Sequence, residues 1–295
     1  MKTKKKNKPP DNSGNEPVLD EVSSSQIPWH PAFVEALQLE LEAYKDVLEF
    51  IPELQLTTEP LRIDCVVIKK KKEVKIKKSI GAIFRTWNLI EYKSPDDYVS
   101  VMDFYKVYGY ACIYTFLNEI PITDLTITFV ESHHPRKLIK HLETVRRYTV
   151  AKTSAGVYTV EGDIFPIQII DSRELSAEDC VWLKNLDNEL NHSAVELISI
   201  KIAQQGKSAR IDAYAYAIAY ANSKIMEDKY MTSKATSNNK PEFEQFLERA
   251  GFIAKWEADG ESRERQKWQS VIADIKAENE QLRLQISELK ASSKK

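Results

Sequence analysis

The segment LRIDCVVI, residues 61–68, constrains the fold of this 295-residue chain more than any other. It is short and rich in β-branched residues, which predicts a β-strand. Alternation along a strand places Asp64 on one face with Val66 and Ile68, and leaves the other face entirely apolar. A strand with two mostly apolar faces is typical of a central position covered by helices on both sides. We therefore expect a fold of the α/β class.

The segments around this strand alternate between helical and strand patterns as far as residue 175. Helices are predicted for residues 31–50, 98–117 and 135–145, and strands for 61–68, 79–93, 124–131 and two or three segments within 148–170, with a turn near Ala155-Gly156. This order indicates an α/β sandwich around a mixed sheet, with residues 27–175 as its core.

The remaining parts of the chain have different compositions. Residues 1–26 are polar and lysine-rich, which predicts a disordered basic tail. Residues 176–255 carry helical patterns and predict a helical region. Residues 261–291 lack proline and glycine and carry a heptad seam, which favours a parallel coiled coil and hence a homodimer. The alternative is a terminal helix that packs on its own domain. The seam residues are Ile272, Ile275, Asn279, Leu282, Ile286 and Leu289.

Composition excludes several classes of protein. The three cysteines are widely spaced and form no CxxC pair, so a disulfide framework or a structural zinc site is not expected. No segment has the pattern of a signal peptide or the roughly 20 apolar residues that cross a bilayer. The formal net charge is only −2. We therefore expect a soluble cytoplasmic protein that does not bind membranes.

A lysine-rich run at residues 69–78 is the strongest local charge feature of the predicted core. It lies between two predicted strands and is interpreted as the tip of a hairpin. Lysines next to a nucleic-acid site would neutralise phosphates, although a solvated tip is an equally good interpretation of such a run. The candidate DNA-binding residues are Lys69, Lys70, Lys71, Lys72, Lys75, Lys77, Lys78 and Arg85.

Two carboxylates on predicted strands and one lysine form a candidate catalytic site. In NLIEYK, Glu91 and Lys93 are two positions apart and share a strand face, whereas Tyr92 points away. A buried carboxylate is costly unless it is paired or binds a metal. Asp64 and Glu91 together can hold Mg²⁺, which prefers oxygen ligands and activates water for phosphodiester hydrolysis. Lys93 would orient that water or offset the charge that develops on the phosphate.

A third carboxylate joins this hypothesis through the first predicted helix. Glu40 lies on the apolar stripe of residues 31–50 and therefore faces the core. It could add an oxygen ligand to the metal, directly or through water. The alternative is that Glu91 and Lys93 have only a structural role and form a salt bridge on an edge strand.

A family resemblance strengthens the catalytic interpretation. A helix with a glutamate, a strand with an aspartate, a strand with Glu-x-Lys and then a helix resemble the PD-(D/E)XK nuclease superfamily. WHPAFVEALQLELEAYKDVLEF, PLRIDCVVIKK and IGAIFRTWNLIEYKSPDDYVSVMDFYKVYGYACIY look more closely like the bacterial recombination-promoting nuclease (Rpn) or putative transposase group. The similarity is clear over residues 28–118. Ile63 stands where the family motif often has proline.

The resemblance implies a restriction-endonuclease-like fold and a function. It implies a Mg²⁺-dependent DNA endonuclease, with Mn²⁺ as a substitute, that is linked to recombination or mobile elements. Asp64, Glu91 and Lys93 match the motif, and Glu40 matches by position. Two alternatives stay open: a catalytically inactive oligomeric DNA-binding or scaffold protein with this fold, and a transposase-type strand-joining enzyme.

Overall fold

A computed structural model describes residues 27–51, 65–71, 74–206, 208–236, 241–256 and 269–270. In this part of the chain seven strands form one sheet, in the order β1-β2-β3-β4-β7-β6-β5. The strands are β1 Leu48–Ile51, β2 Cys65–Lys70, β3 Trp87–Tyr92, β4 Leu125–Glu131, β5 Thr149–Ser154, β6 Val157–Glu161 and β7 Ile167–Asp171.

The sheet is mixed, as the sequence predicts. β1, β2 and β3 pair antiparallel, and so do β5, β6 and β7. β4 lies in the middle and runs parallel to both β3 and β7. Every residue of β4 is buried, which is typical of a parallel strand covered on both faces. The carboxyl ends of β3, β4 and β7 therefore lie side by side at the same end of the sheet.

Helices cover the two faces of this sheet. The helices of the core are α1 Trp29–Glu40, α2 Val101–Leu117 and α3 Arg136–Thr144. The following region contains α4 Val181–Lys184, α5 His192–Gln204, α6 Ala209–Ala221, α7 Ser223–Thr236 and α8 Pro241–Arg249. The described residues after 176 thus contain several helices, of which α4 is the shortest with four residues.

Two hydrophobic clusters separate the faces. The face that we call the α1 face carries Val66, Ile68 and Ile90 and is covered by α1, α4 and α6. The opposite face, the α2 face, carries Val67, Leu89 and Phe129 against α2 and α3. Because α5, α6 and α8 add their apolar residues to the cluster of the α1 face, the helical region shares a core with the sheet.

Asn88, Thr126, Thr128 and Gln168 form hydrogen bonds within the α1 face, both with one another and with the backbone. Asn88 is buried and donates to the carbonyl oxygens of Ile68 and Arg85 at 3.0 and 2.9 Å. Its side-chain oxygen accepts from the Thr126 hydroxyl at 2.7 Å. Gln168 donates to the Thr128 hydroxyl at 3.0 Å. A buried polar network of this kind is stable because its members have partners.

The first predicted helix is shorter in the structure than in the sequence analysis. α1 ends at Glu40, a 3₁₀ turn follows at Glu42–Tyr44, and Leu48–Ile51 is strand β1. The apolar spacing of Leu41 and Leu48 continues the helical period, and both side chains are buried. Pairing of β1 with β2, however, satisfies the backbone of residues 48–51 across the sheet. A long-range contact thus overrides the local pattern.

Two other predictions concern membrane crossing and the coiled coil. Within the described ranges no helix has both the length and the apolar character that a bilayer span requires. The seam at residues 272–289 and the basic tail at 1–26 lie outside the described residues. The dimer that the seam predicts therefore stays a prediction.

Candidate functional site

Glu91 and Lys93 stand at the carboxyl end of β3, on the α2 face of the sheet. The alternation that Leu89 and Ile90 establish on the two faces places Glu91 on the side of Leu89. Lys93 follows the strand and its backbone N–H donates to the Val130 carbonyl at 2.9 Å. Their side chains are only 3% and 16% exposed, and Lys93 Nζ lies 3.8 Å from Glu91 Oε1. The predicted same-face pair is therefore present and largely desolvated.

Helix α2 completes this pair with two residues that the sequence analysis did not select. Lys106 Nζ donates to Glu91 Oε1 at 3.1 Å. Asp103 accepts from Lys93 Nζ at 2.9 Å through Oδ1. Asp97 in the loop before α2 lies 3.5 Å from Lys93. The result is a chain of alternating charges, from Asp103 through Lys93 and Glu91 to Lys106, which we call the Glu91 network.

The start of α2 explains why Asp103 has this position. Ser100 caps the helix, and its hydroxyl accepts from the Asp103 backbone N–H at 3.1 Å. Asp103 Oδ2 accepts in return from the Ser100 backbone N–H at 2.9 Å. This reciprocal capping box, S-x-x-D in the sequence, holds one carboxylate oxygen. The other oxygen is thereby directed at Lys93.

Electrostatics keep the lysines of the network protonated. Burial lowers the pKa of Lys93, but the hydrogen bond to Asp103 and the charges of Asp103, Asp97 and Glu91 outweigh it, so that the pKa is raised. Burial likewise lowers the pKa of Lys106, and the nearby Glu91 carboxylate raises it overall. Both side chains thus present ammonium groups at neutral pH. They can stabilise negative charge on a phosphate.

Glu131 lies next to this network, at the carboxyl end of β4 and on the same face. It is fully buried, and Oε2 accepts from the Val99 backbone N–H at 3.1 Å. Burial raises the pKa of Glu131 to about 8, the Val99 hydrogen bond opposes this rise, and the charges of Asp171 and Asp97 add to it. Glu131 was not among the residues predicted from the sequence. Its signal was an acidic residue at the end of an otherwise uncharged strand, LTITFVE, much as Glu91 is the last residue but one of β3.

The structure does not bring Glu40 to this site. Glu40 is buried, as its place on the apolar stripe predicts, but it lies on the α1 face. Its Oε1 accepts from the backbone N–H groups of Trp182 and Leu183 at 2.5 and 3.1 Å, at the amino end of α4. Lys78 Nζ lies 2.6 Å from Oε2. The sheet separates Glu40 from Glu91, so the expected role as a shared metal ligand is corrected to that of a helix cap.

The lysine run also lies away from Glu91 in the described residues. In the antiparallel pair of β2 and β3, Cys65 lies opposite Glu91 and Lys69 opposite Trp87. Four residues of a strand span about 13 Å, so the lysines that follow Lys69 begin at the other end of the strands. Arg85 precedes β3 at that same end.

Several lysines of the run already have partners within the protein. Lys69 Nζ lies 4.5 Å from the centre of the Trp87 ring. Lys71 pairs with Glu49 at 3.1 Å and Lys78 with Glu40. Lys75 and Lys77 are exposed, and Lys70 is half-buried. Lys72 lies outside the described residues. The expectation that this run borders the catalytic residues is therefore not met, and a separate DNA-binding role for it stays a prediction.

The metal set that the sequence predicts is described only in part. Asp64 lies outside the described residues, directly before Cys65. In the described part of the chain, three or more acidic, histidine or cysteine side chains do not converge on one point. Glu91 fits the chemistry of a Mg²⁺ ligand, since it is a buried carboxylate near the carboxyl end of β3. It would need a second carboxylate, and Asp64 is the predicted one.

Comparisons with known proteins add no assignment. Neither family models, nor curated proteins, nor solved structures match this chain. The resemblance to the PD-(D/E)XK nucleases therefore stays a prediction.

Proposed function

We propose that this protein is a metal-dependent DNA endonuclease of the PD-(D/E)XK type. The observation that carries the proposal is the placement of Glu91 and Lys93 on one buried face at the end of β3. Three further features support it: the antiparallel β1-β2-β3 unit, helix α2 that follows, and β4 parallel to β3. The order of helix α1, strands β2 and β3 and helix α2 agrees with the order that the sequence resemblance implies.

Each residue of the site has a role that its chemistry can fill. Glu91 would be a carboxylate ligand for Mg²⁺, with Asp64 as the second ligand. Bound there, Mg²⁺ would polarise the phosphate and lower the pKa of a coordinated water. Lys93, held by Asp103, would position the attacking water or offset charge on the phosphate. Lys106 would add a second ammonium group on the same side.

Binding of one metal by both Asp64 and Glu91 would require their side chains to lie on the same face of the sheet. Val66 and Ile68 belong to the α1 face, and regular alternation would direct the residue two positions before Val66 to that face as well. Glu91 belongs to the α2 face. A metal shared by Asp64 and Glu91 thus requires a break in the alternation, such as a bulge or the end of the strand, between residues 64 and 66.

Cleavage of supercoiled plasmid DNA tests the proposal. The full chain with Mg²⁺ or Mn²⁺ should nick or linearise the plasmid, and EDTA should abolish this activity. Glu91→Gln and Lys93→Met should each lower the rate by at least roughly 100-fold, because each removes charge from the reacting centre. Asp64→Asn should have a similar effect. Circular dichroism and urea unfolding would verify that each variant is folded.

A matched ion pair elsewhere in the chain provides the control. Lys152 and Glu174 pair at 2.6 Å on the surface, where both side chains are more than two fifths exposed. Lys152→Met and Glu174→Gln should leave cleavage unchanged, since an exposed pair contributes little. If the wild-type protein binds DNA but never cleaves it with either metal, the non-enzymatic DNA-binding alternative replaces the nuclease. Equal loss in the control variants would also contradict the proposal.

Lys106 allows a more direct test of the metal site. Its ammonium group contacts the Glu91 oxygen that a cation would use. Lys106→Ala should therefore tighten Mn²⁺ binding, by roughly five-fold or more, because the competing positive charge is gone. Electron paramagnetic resonance of free Mn²⁺ would measure this affinity. Unchanged or weaker Mn²⁺ binding would argue against Glu91 as a ligand.

The links to recombination and to a dimer rest on the sequence alone. Sedimentation of the full chain should give a dimer if residues 261–291 form the predicted coiled coil. A monomer at working concentrations would remove the dimer from the proposal without affecting the catalytic site.

A further inference from the structure

A cleft of about 260 Å³ opens beside the amino end of α3, next to the Glu91 network. Its volume lies just below the roughly 300–1,000 Å³ that is typical of small-molecule pockets. It is too small for a duplex but has room for a phosphate group. The residues that line it include Tyr98, Val99, Glu131, His133, Arg136 and Lys137.

Glu131 provides the first sign that the cleft receives a ligand. Its side chain is fully buried, and within the described part of the chain its Oε1 has no hydrogen-bond partner. Leaving a buried polar atom without a partner costs stability. Because Glu131 lines the cleft, this unpartnered carboxyl oxygen is a candidate for a hydrogen bond with a bound molecule.

The amino end of α3 provides a second, independent sign. The first turn of an α-helix has N–H groups without intrahelical acceptors, and the helix dipole makes this end positive. Pro135 at the cap position supplies no side-chain hydrogen bond to these groups, although the Arg136 N–H donates to the His134 carbonyl at 2.8 Å. Arg136 and Lys137 are exposed at the same end and line the cleft. Such an end binds phosphate groups well.

We propose that this cleft binds the terminal phosphate monoester of a DNA strand. The helix end, Arg136 and Lys137 would hold the phosphate oxygens, and Glu131 in its protonated form would donate a hydrogen bond to one of them. The Tyr98 ring and the Val99 side chain would contact the sugar. A strand end fits better than an internal phosphate, because a monoester has three terminal oxygens and carries more negative charge.

The cleft's position connects it with the proposed chemistry. Lys93 donates its backbone N–H to Val130, the residue directly before Glu131. Hydrolysis of a phosphodiester leaves one product end as a phosphate monoester, so the cleft could hold that end or a pre-existing strand end. The inference rests on the proposed function in so far as that function makes DNA the substrate.

Charges around Glu131 determine how binding depends on pH. Burial is the main reason that its pKa is about 8, so the side chain is largely protonated at pH 7 and ionised at pH 9.5. An ionised carboxylate would repel the phosphate. The charged and titratable groups that surround Glu131 are Lys93, Asp97, His133, His134, Arg136, Lys137 and Asp171. Because these residues stay the same in Glu131→Gln, that variant isolates the effect of Glu131.

Fluorescence anisotropy in EDTA tests the inference without cleavage. The probes are labelled single-stranded oligodeoxynucleotides of one sequence with a 5′-phosphate, a 3′-phosphate or hydroxyl ends. The full chain should bind one phosphorylated probe roughly ten-fold more tightly than the hydroxyl probe at pH 7. Between pH 7 and 9.5 this preference should fall by roughly ten-fold or more. In Glu131→Gln the preference should not change with pH.

Lys137→Ala serves as the second variant, because Lys137 is exposed and its loss should not affect folding. It should reduce the preference for the phosphorylated probe and leave binding of the hydroxyl probe nearly unchanged. Inorganic phosphate at millimolar concentration should compete only with the phosphorylated probe if the site recognises the phosphate itself. Equal binding of all three probes, a preference that Lys137→Ala leaves unchanged, or a preference that still falls with pH in Glu131→Gln would overturn the inference.

The two proposals can fail separately. Metal-dependent cleavage without any preference for phosphorylated ends would leave the nuclease in place and remove the end-binding cleft. A clear preference in EDTA without cleavage under any metal condition would remove the nuclease and leave the end-binding cleft in place.

Discussion

Glu131→Gln should stabilise the protein at alkaline pH. Glu131 is fully buried at the end of β4 and accepts one hydrogen bond, from the Val99 backbone N–H. Glutamine has almost the same shape and keeps an oxygen that can accept this bond. The substitution therefore removes the ionisable proton and leaves the packing nearly unchanged.

The expected magnitude follows from the pKa of Glu131. Burial raises this pKa from the ordinary value of 4.5 to about 8 in the folded protein. Each unit of pKa corresponds to about 1.4 kcal/mol, so ionisation in the folded state costs up to about 5 kcal/mol relative to the unfolded chain. Relaxation of the folded protein around the ionised carboxylate should lower this cost. We expect an effect of about 2–4 kcal/mol at pH 9.

The sign of the effect depends on pH in a defined way. Below about pH 4.5 the side chain is protonated in both states, and the cost is absent. Between pH 4.5 and 8 the unfolded chain loses its proton first, so the free energy of unfolding of the wild-type protein falls as pH rises. Above pH 8 the difference is constant. Glu131→Gln should lack this decline.

Urea unfolding of both proteins at pH 5, 7 and 9 measures the difference. Glu143→Gln is the matched control, because Glu143 is exposed on the adjacent helix α3 and should change stability by no more than about 0.5 kcal/mol at any pH. If the difference between wild type and Glu131→Gln is the same at pH 5 and pH 9, Glu131 is not buried as an acid of raised pKa. The explanation of its role in the cleft would then be wrong as well.

Three further substitutions test the scaffold. Glu40→Ala should lower the free energy of unfolding by on the order of 2 kcal/mol, since it removes the cap of α4. The folded variant should still cleave plasmid at the wild-type rate. Loss of cleavage would indicate that Glu40 is a metal ligand after all. Asn88→Ala should cost about 2–4 kcal/mol in urea unfolding, because it leaves several buried polar groups without partners. Gly156→Ala should cost about 2–4 kcal/mol in thermal unfolding, because Gly156 has a φ of +70° and an added Cβ would lie 2.5 Å from the Asp171 carbonyl oxygen. Unchanged stability of Asn88→Ala or of Gly156→Ala would contradict the contacts described for that residue.

Local patterns in the sequence were enough to predict the class of the fold. The two apolar faces of β2 and the helix and strand periods that follow it indicated an α/β protein with a mixed sheet. Alternation alone placed Glu91 and Lys93 on one face, because neighbours two apart on a strand share a side. The wheel position of Glu40 correctly indicated that it is buried. Each of these properties depends on residues that are close in the chain.

Only the tertiary structure decided which of these side chains meet. The helical wheel could not show that Glu40 faces α4 and Lys78 across the sheet from Glu91. The register of β2 against β3, which sends the lysine run to the far end of the strands, depends on pairing across some 20 residues of chain. The contacts of Asp103 and Lys106 with the β3 pair likewise depend on how α2 packs. These long-range contacts depend on how whole helices and strands bury their apolar faces against one another. Such packing produces no short periodic pattern in the sequence.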